Sequence, residues 1–339
     1  MKICLISRKF DENSGSGEWV YAAKLSVELK RLGIDIHLIE QKNSGLFSKR
    51  AYKLFHDWIR VPIKCMGLYF FCNIKNFHFL SENQGMCIPL LNFFGANTIV
   101  TFHDLMRLSG KNETVDKKYF RLVYKLASKA KKIQCNSTET KKDLLSNFKI
   151  KSLVKVIPVN CREFNIVNKK KMGNILGYLG ALNARKRPEK LLEIEKELIN
   201  QHEKLKIIVW GKGEYFDKIK NKKKNLIILR GFAPEEDLNQ IYNSFDFFIF
   251  PTSCEGLGLP AIESAMCGIP IFIYSDAKIP REIKKLCIVC KNSKEMVKKV
   301  LKLKQNSKKL REIKKTLLVK SKKFSFKDNT NKLIKLYDK

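Results

Sequence analysis

At 339 residues the chain can bury two cores of ordinary domain size, and 44% hydrophobic content with 10% aromatics excludes extensive disorder. Its 67 Lys and Arg against 33 Asp and Glu leave a formal charge of +34, a field that attracts anions of every kind and selects none. No zinc-finger spacing, RNP-type aromatic pattern or basic-zipper heptad accompanies that charge, so no specific nucleic-acid partner is expected.

The predicted elements begin with MKICLIS, which reads as a buried strand and not as a secretory leader. Strand-like runs follow at KICLIS (2–7), IDIHLI (34–39), FHFLS (77–81), NTIVTF (97–102), KIQCN (132–136) and VKVIPV (154–159). The first intervening helix is marked by Ala22, Leu25, Leu29 and Leu32 at helical spacing, with Gly33 as its stop. Between Phe47 and Phe71 the chain mixes Lys49, Arg50, Lys53, Arg60 and Lys64 with Phe55, Trp58, Ile59, Met66, Tyr69 and Phe70, a composition suited to an anionic bilayer surface or to a core-facing helix with basic edges. The uncharged stretch Asn83–Phe102 holds Asn83, Gln84, Pro89 and Asn92 and reads as loop, short helix and strand, not as a membrane span.

The polar piece NIVNKKKMGN (165–174) breaks the pattern and reads as a linker. The alternation then restarts with ILGYLG (175–180), LKIIVW (205–210), NLIILR (225–230), FDFFIF (245–250), IPIFIY (269–274) and LCIVC (286–290). Two such series imply an α/β protein with two Rossmann-like, doubly wound domains facing across a cleft: 1–166, 167–320, and a closing helix over 321–339. From Lys284 to Lys339 there are 20 basic and 4 acidic residues, the pattern of a solvated helical face. Ten scattered cysteines suit a reducing compartment, hence a cytoplasmic protein, peripheral to the inner face of a membrane if the basic surface binds lipid. Cys287 and Cys290 have C-x2-C spacing but lie in an apolar run without a second pair, which favours a core strand over a zinc or redox site.

Ligands of doubly wound sheets bind beyond the carboxyl ends of the strands. Gly15, Gly17, His103, Asp104, Gly180, Arg185, Lys186, Gly211, Gly213 and Glu255 all fall there. In EGLGLPAIESAMCGIP (255–270), Gly256 and Gly258 carry no Cβ, so their amides can approach a ligand closely. A helix starting near Pro260 and ending at Gly268 would point its positive end at a phosphate. Glu263, expected in the first turn of that helix, can accept both hydroxyls of a ribose diol, and Glu255 can meet a second polyol. No Asp-x-Asp occurs, so basic side chains are expected to hold a diphosphate without a divalent metal.

Two other readings compete. Gly15-Ser16-Gly17 with Glu40 has the outline of a dinucleotide site, although Val20 occupies the third glycine position. A non-catalytic binder of nucleic acid or anionic surfaces is the second, separable from an enzyme by nucleotide-sugar binding.

EGLGLPAIESAMCGIP resembles the donor signature of retaining GT-B nucleotide-sugar glycosyltransferases, in particular glycosyltransferase family 4. SGSGEWVYAAKLSVELKRLGIDIHLI, TFHD, GYLGALNARKRPEKLL and IIVWGKGEY agree with that family in order. The resemblance implies that Glu263 binds ribose and Glu255 the transferred sugar. It further implies that Gly256, Leu257, Gly258 and Leu259 serve the donor, that Lys186 lies beside the diphosphate, and that His103 meets the donor sugar. It also implies a nucleotide-sugar donor, front-face transfer and a glycolipid, lipid-linked oligosaccharide or polysaccharide acceptor. Where the family has Gly-Arg this chain has Gly180-Ala181, so Arg185 or Arg187 is expected to supply the missing cation.

Overall fold

The computed structural model describes residues 1–13, 16–41, 55–108, 115–160, 162–167 and 174–338. The chain divides into two compact units, Met1–Cys161 with Phe326–Lys339, and Arg162–Ser325. Each is built around one six-stranded sheet whose pairs are all parallel.

The first sheet contains β1 (Lys2–Ile6), β2 (Asp35–Ile39), β3 (Asn76–Phe79), β4 (Asn97–Phe102), β5 (Lys132–Cys135) and β6 (Leu153–Val156). Their order is β2-β1-β3-β4-β5-β6, so the winding reverses between β1 and β3. Its helices are α1 (Gly17–Arg31), α2 (Val61–Phe71), α3 (Ile88–Phe93), α4 (Val115–Ala127) and α5 (Thr138–Asn147). The central strands are covered on both faces and therefore read as continuous apolar runs; Phe77, Phe79, Val100, Phe102 and Ile133 are fully buried with Tyr124 and Leu91. Asn83–Phe102 is a 3-10 turn, α3 and β4, as its polar and proline content predicts. No helix of the described residues is long and apolar enough to cross a membrane.

The second sheet contains β7 (Ile175–Leu179), β8 (Lys206–Trp210), β9 (Ile227–Gly231), β10 (Phe247–Ile249), β11 (Ile271–Tyr274) and β12 (Cys287–Cys290), ordered β12-β11-β10-β7-β8-β9. Here the winding reverses between β7 and β10. Its helices are α6 (Lys190–Asn200), α7 (Phe216–Lys222), α8 (Leu238–Ser244), α9 (Leu259–Met266), α10 (Arg281–Lys284), α11 (Ser293–Gln305) and α12 (Ser307–Ser321). The Lys-rich pattern after residue 284 is a solvated face, with Met296, Val297, Val300, Leu303, Leu310 and Leu317 turned inward. Part of the linker, 168–173, lies outside the described residues; 162–167 is fastened to α8 by Asn239 and Asn243, whose side chains accept from the amides of Asn165 (3.1 Å) and Val167 (2.9 Å).

The closing helix α13 (Phe326–Asp338) packs with the first unit. Its Tyr337 hydroxyl donates to His78 Nδ1 at 2.7 Å, His78 Nε2 donates to Thr101 Oγ1 at 2.9 Å, and Thr101 donates to Gln134. This series of bonds leaves His78 neutral. Burial, with the nearby charge of His103, lowers its pKa to about 3.

Candidate active site

The reversal between β7 and β10 is where an open parallel sheet splays its crossover loops apart and leaves room for a ligand. Lys186 is delivered by the loop after β7 and Glu255 by the loop after β10. Asn183 accepts the Lys186 amide at 3.2 Å and closes a 3-10 turn over Ala184–Lys186, which turns the lysine inward and ends at Arg187 in the left-handed region (φ 47°).

Lys186 Nζ sits 2.6 Å from Glu255 Oε1 and 5.0 Å from the centroid of the Phe250 ring. The Thr252 hydroxyl donates to the same carboxylate oxygen at 2.7 Å. Arg185 Nη1 approaches Glu255 Oε2 at 2.7 Å and donates to the Cys254 carbonyl at 2.9 Å. The Lys186 and Glu255 side chains are 9% and 8% exposed, whereas Arg185 is 39% exposed and can be reached from solvent. Burial alone would push the Glu255 carboxyl up, but the charges of Lys186 and Arg185 outweigh it and hold it low. Burial pulls Lys186 down, opposed by Glu255 and, more weakly, by Glu263. Each group is the other's nearest opposite charge in this buried pair.

The two candidate replacement cations part company. Arg187 is consumed by structure: it donates to the carbonyls of Pro251 (2.6 Å) and Thr252 (2.8 Å) and pairs with Asp276 at 2.7 Å. Only Arg185 shares the Glu255 carboxylate with Lys186.

Gly258 is left-handed (φ 90°) and turns the loop into α9. The amides of Gly256, Leu257 and Gly258 are hydrogen-bonded to none of the described residues and lie at the positive end of this helix. Leu257 is buried, and Leu259 is the first helical residue. The expected place of Glu263 is corrected: α9 starts at Leu259, so Glu263 falls in the second turn, where its side chain is 1% exposed. The burial is compensated. Arg162 Nη1 donates to Oε1 at 2.5 Å, Tyr242 donates to Oε2 at 2.7 Å, and Arg162 also forks onto Glu235 with two bonds of 2.7 Å. Arg162, Tyr242, Glu235 and Thr252 were not singled out from the sequence. The only signal was a lone arginine a short way beyond the sixth strand and a tyrosine on a buried helix face beside Leu238 and Ile241.

Gly180 and Gly211 have a structural reason to be glycine. A Cβ on Gly211 (φ 152°) would lie 1.9 Å from the Gly180 carbonyl oxygen, so the loops after β7 and β8 can touch only because Gly211 carries no side chain, while Gly180 (φ 150°) has a backbone conformation that favours glycine. Cys287 and Cys290 are core thiols of β12; burial raises both, Cys290 to about 11, which disfavours the thiolate that a metal or redox step needs. Among the described residues no three His, Cys, Asp or Glu side chains are grouped to hold a metal ion.

In the first unit, His103 follows β4, donates from Nε2 to the Leu80 carbonyl (2.7 Å), and meets the Asn136 amide at Nδ1 (3.1 Å). Its backbone amide donates to Glu82 at 3.0 Å. Burial would pull the imidazole down, yet Glu18 and Glu82 outweigh it and raise the pKa. Glu82 itself is pushed up to about 7, chiefly by burial and secondarily by Asp104 and Glu18. Gly17 opens α1; Gly15 lies outside the described residues.

Residues 161–317 match the family model of glycosyl transferases group 1. Alpha-monoglucosyldiacylglycerol synthase of Streptococcus pneumoniae is 26% identical over 160 residues, a match spanning 41% of this chain and 36% of that relative's length. Sucrose-phosphate synthase from Thermosynechococcus elongatus superposes with a TM-score of 0.81 at 16% identity, over 100% of this chain and 98% of that one. Anabaena HepE, solved with UDP and glucose, gives 0.73 at 14% identity and 99% coverage of both chains. The fold is the GT-B fold, and residues 161–317 resemble the glycosyl transferases group 1.

Proposed function

We propose that the protein transfers a sugar from a nucleotide-sugar donor to an acceptor hydroxyl, with retained anomeric configuration, as in glycosyltransferase family 4. One observation carries this reading: Lys186 and Arg185 close on the two oxygens of Glu255 beside the amino end of α9, at the reversal of the second sheet. A donor complements both halves. Its diphosphate offers the two cations and the Gly256–Gly258 amides a doubly negative partner, and its sugar hydroxyls offer Glu255 hydrogen bonds in exchange. Glu263, fixed by Arg162 and Tyr242, keeps a second lone pair on each oxygen for a ribose diol.

As the bond from the anomeric carbon to phosphate breaks, the leaving oxygen gains negative charge that Lys186, Arg185 and the start of α9 stabilise, without recourse to a divalent ion. Glu255 is held by cations on both oxygens, so it orients the sugar and does not attack it. The acceptor hydroxyl adds to the anomeric carbon from the face the phosphate leaves, and its proton passes to a departing phosphate oxygen. His103 keeps both ring nitrogens engaged within its own unit. The name of the pneumococcal relative, a synthase of a glucosylated diacylglycerol, supports a lipid acceptor, and the UDP and glucose of HepE support a nucleoside-diphosphate sugar donor.

The test is thermal unfolding against a panel of nucleotide sugars, followed by acceptor-dependent release of nucleoside diphosphate. A true donor at 100 times its Kd should stabilise by about 2.7 kcal/mol. If no nucleotide sugar raises Tm or is turned over, the reading fails.

A further inference from the structure

The amino edge of the first sheet, at the end away from His103, carries a feature that sugar transfer does not require. Because β3, β4, β5 and β6 are parallel neighbours, the segments entering them, 72–75, 94–96, 128–131 and 148–152, lie along one edge. They carry Lys75, Lys129, Lys131, Lys149 and Lys151, all exposed, and no Asp or Glu. The helices that end at this edge, α2 and α3, bring Phe70, Phe71, Phe93 and Phe94, exposed by 56%, 90%, 83% and 37%. Scattered apolar residues on a surface are ordinary; four rings gathered at one place mark a contact.

The gathering is built in. Phe70 and Phe94 meet edge to face at 5.3 Å, Phe93 and Phe94 at 5.2 Å, and the Tyr69 hydroxyl donates to the Phe94 carbonyl. Lys75 Nζ lies 3.7 Å from the centroid of the Tyr69 ring, Lys131 Nζ donates to the Gly95 carbonyl at 3.3 Å, and the Asn92 side chain donates to the Lys129 carbonyl at 2.8 Å. The lysines also complement the carbonyl ends of α2, α3 and α4, which accounts for charge at this edge but leaves the rings unexplained. Of the sequence stretch read as lipid-suited, Lys49, Arg50 and Lys53 lie outside the described residues, while Tyr69 and Met66 pack against the core and Phe70 joins this patch.

A second copy of the chain would set five lysines against five, on a protein already carrying +34. An anionic bilayer answers both parts of the surface: aromatic rings settle at head-group depth, and each lysine near the surface adds about 1 kcal/mol. We propose that the amino edge of the first unit's sheet docks on an anionic lipid bilayer, with Phe71 and Phe93 entering the head-group layer and Lys75, Lys129 and Lys131 facing lipid phosphates. Strands of four to six residues then hold the carboxyl edge about 15–20 Å above that layer, so an acceptor must carry its hydroxyl beyond the head groups. The proposal does not depend on the identity of the donor.

Co-sedimentation of the full chain with vesicles of equal phosphatidylglycerol and phosphatidylcholine, against phosphatidylcholine alone, tests it. Wild type should bind the mixed vesicles only. Phe71→Ser with Phe93→Ser should weaken binding about tenfold or more, and Lys129→Glu with Lys131→Glu comparably and with relief by salt. Lys315→Glu with Lys320→Glu, exposed on α12, should change affinity by less than about twofold. Nucleotide-sugar stabilisation of all three variants should equal that of wild type. Failure to bind, indifference to the phenylalanine changes, or equal loss in the α12 variant would overturn the proposal. A self-association abolished by Phe71→Ser with Phe93→Ser would assign the surface to a second copy instead.

Discussion

The Lys186 ammonium and the Glu255 carboxylate form a buried ion pair at 2.6 Å, and Arg185 occupies the other carboxylate oxygen at 2.7 Å. The acidic and cationic arms of the proposed donor site are therefore each other's partners, and a donor would have to exchange with both. Glu255→Gln keeps the shape and removes the charge that sets this exchange. Turnover, followed by nucleoside-diphosphate release, should drop about 100-fold or more, with the donor KM within about threefold of wild type. A wild-type kcat would remove Glu255 from the chemistry.

Arg185 and Arg187 should separate cleanly. Arg185→Ala loses a solvent-reachable cation, so urea unfolding should shift by under about 1 kcal/mol while turnover falls about 10–100-fold. Arg187→Ala strands two backbone carbonyls and Asp276, and stability should drop about 2–4 kcal/mol. Normal turnover in both variants would mean that neither replaces the cation missing at Ala181.

Tyr242 should act on donor binding through Glu263. Tyr242→Phe removes one hydrogen bond of about 1 kcal/mol, so the donor KM should rise about fivefold with kcat held. Arg162→Ala leaves two carboxylates without their cation and should destabilise by about 3–5 kcal/mol in denaturant. An unchanged KM in Tyr242→Phe would deny that Glu263 touches the donor.

Two glycines predict opposite signs. Gly211→Ala drives a methyl group into the Gly180 carbonyl and should cost more than about 2 kcal/mol. Gly67 lies inside α2, where an added methyl group would meet no atom within 4 Å, so Gly67→Ala should stabilise by about 0.5–1 kcal/mol. Thermal or urea unfolding of the pair reads both.

His78 supplies a pH signature. Its pKa is about 3 when folded against 6.5 ordinarily, so the unfolded chain binds its proton first as pH falls. The contribution is fully present above pH 6.5 and is lost by about 1.4 kcal/mol per pH unit on the way down towards 3. Glu82, raised to about 7, has the reverse slope between 4.5 and 7 and masks this in the wild type. The difference in stability between wild type and His78→Gln, measured from pH 8 to 5, isolates it: it should be flat above 6.5 and shift against wild type below. A flat difference throughout would mean that folding leaves the His78 pKa where it is in the unfolded chain.

The central strands were legible because parallel strands covered on both faces appear as unbroken apolar runs, whereas the edge strands β2 and β6 interleave apolar residues with exposed ones. Strand ends were less legible: FDFFIF overstates Phe247–Ile249, since Asp246 is an end group whose carboxylate accepts the Ile175 amide at 2.8 Å. The glycine loop and paired glutamates pointed to the candidate site, but not to how it is wired. Arg185 and Arg187 are near neighbours in sequence with identical chemistry, and only the left-handed backbone at Arg187 sends them different ways. Arg162 meets Glu263 across 101 positions, and Tyr337 meets His78 across 259, separations at which no local pattern carries a signal.

That last contact orders events at the ribosome. Residues 326–338 complete the first unit's core around His78, yet translation delivers them only after all of 162–325. The unit begun first is thus finished last, and the later-made segment can reach its own native state while the earlier one waits with its polar cluster open to water.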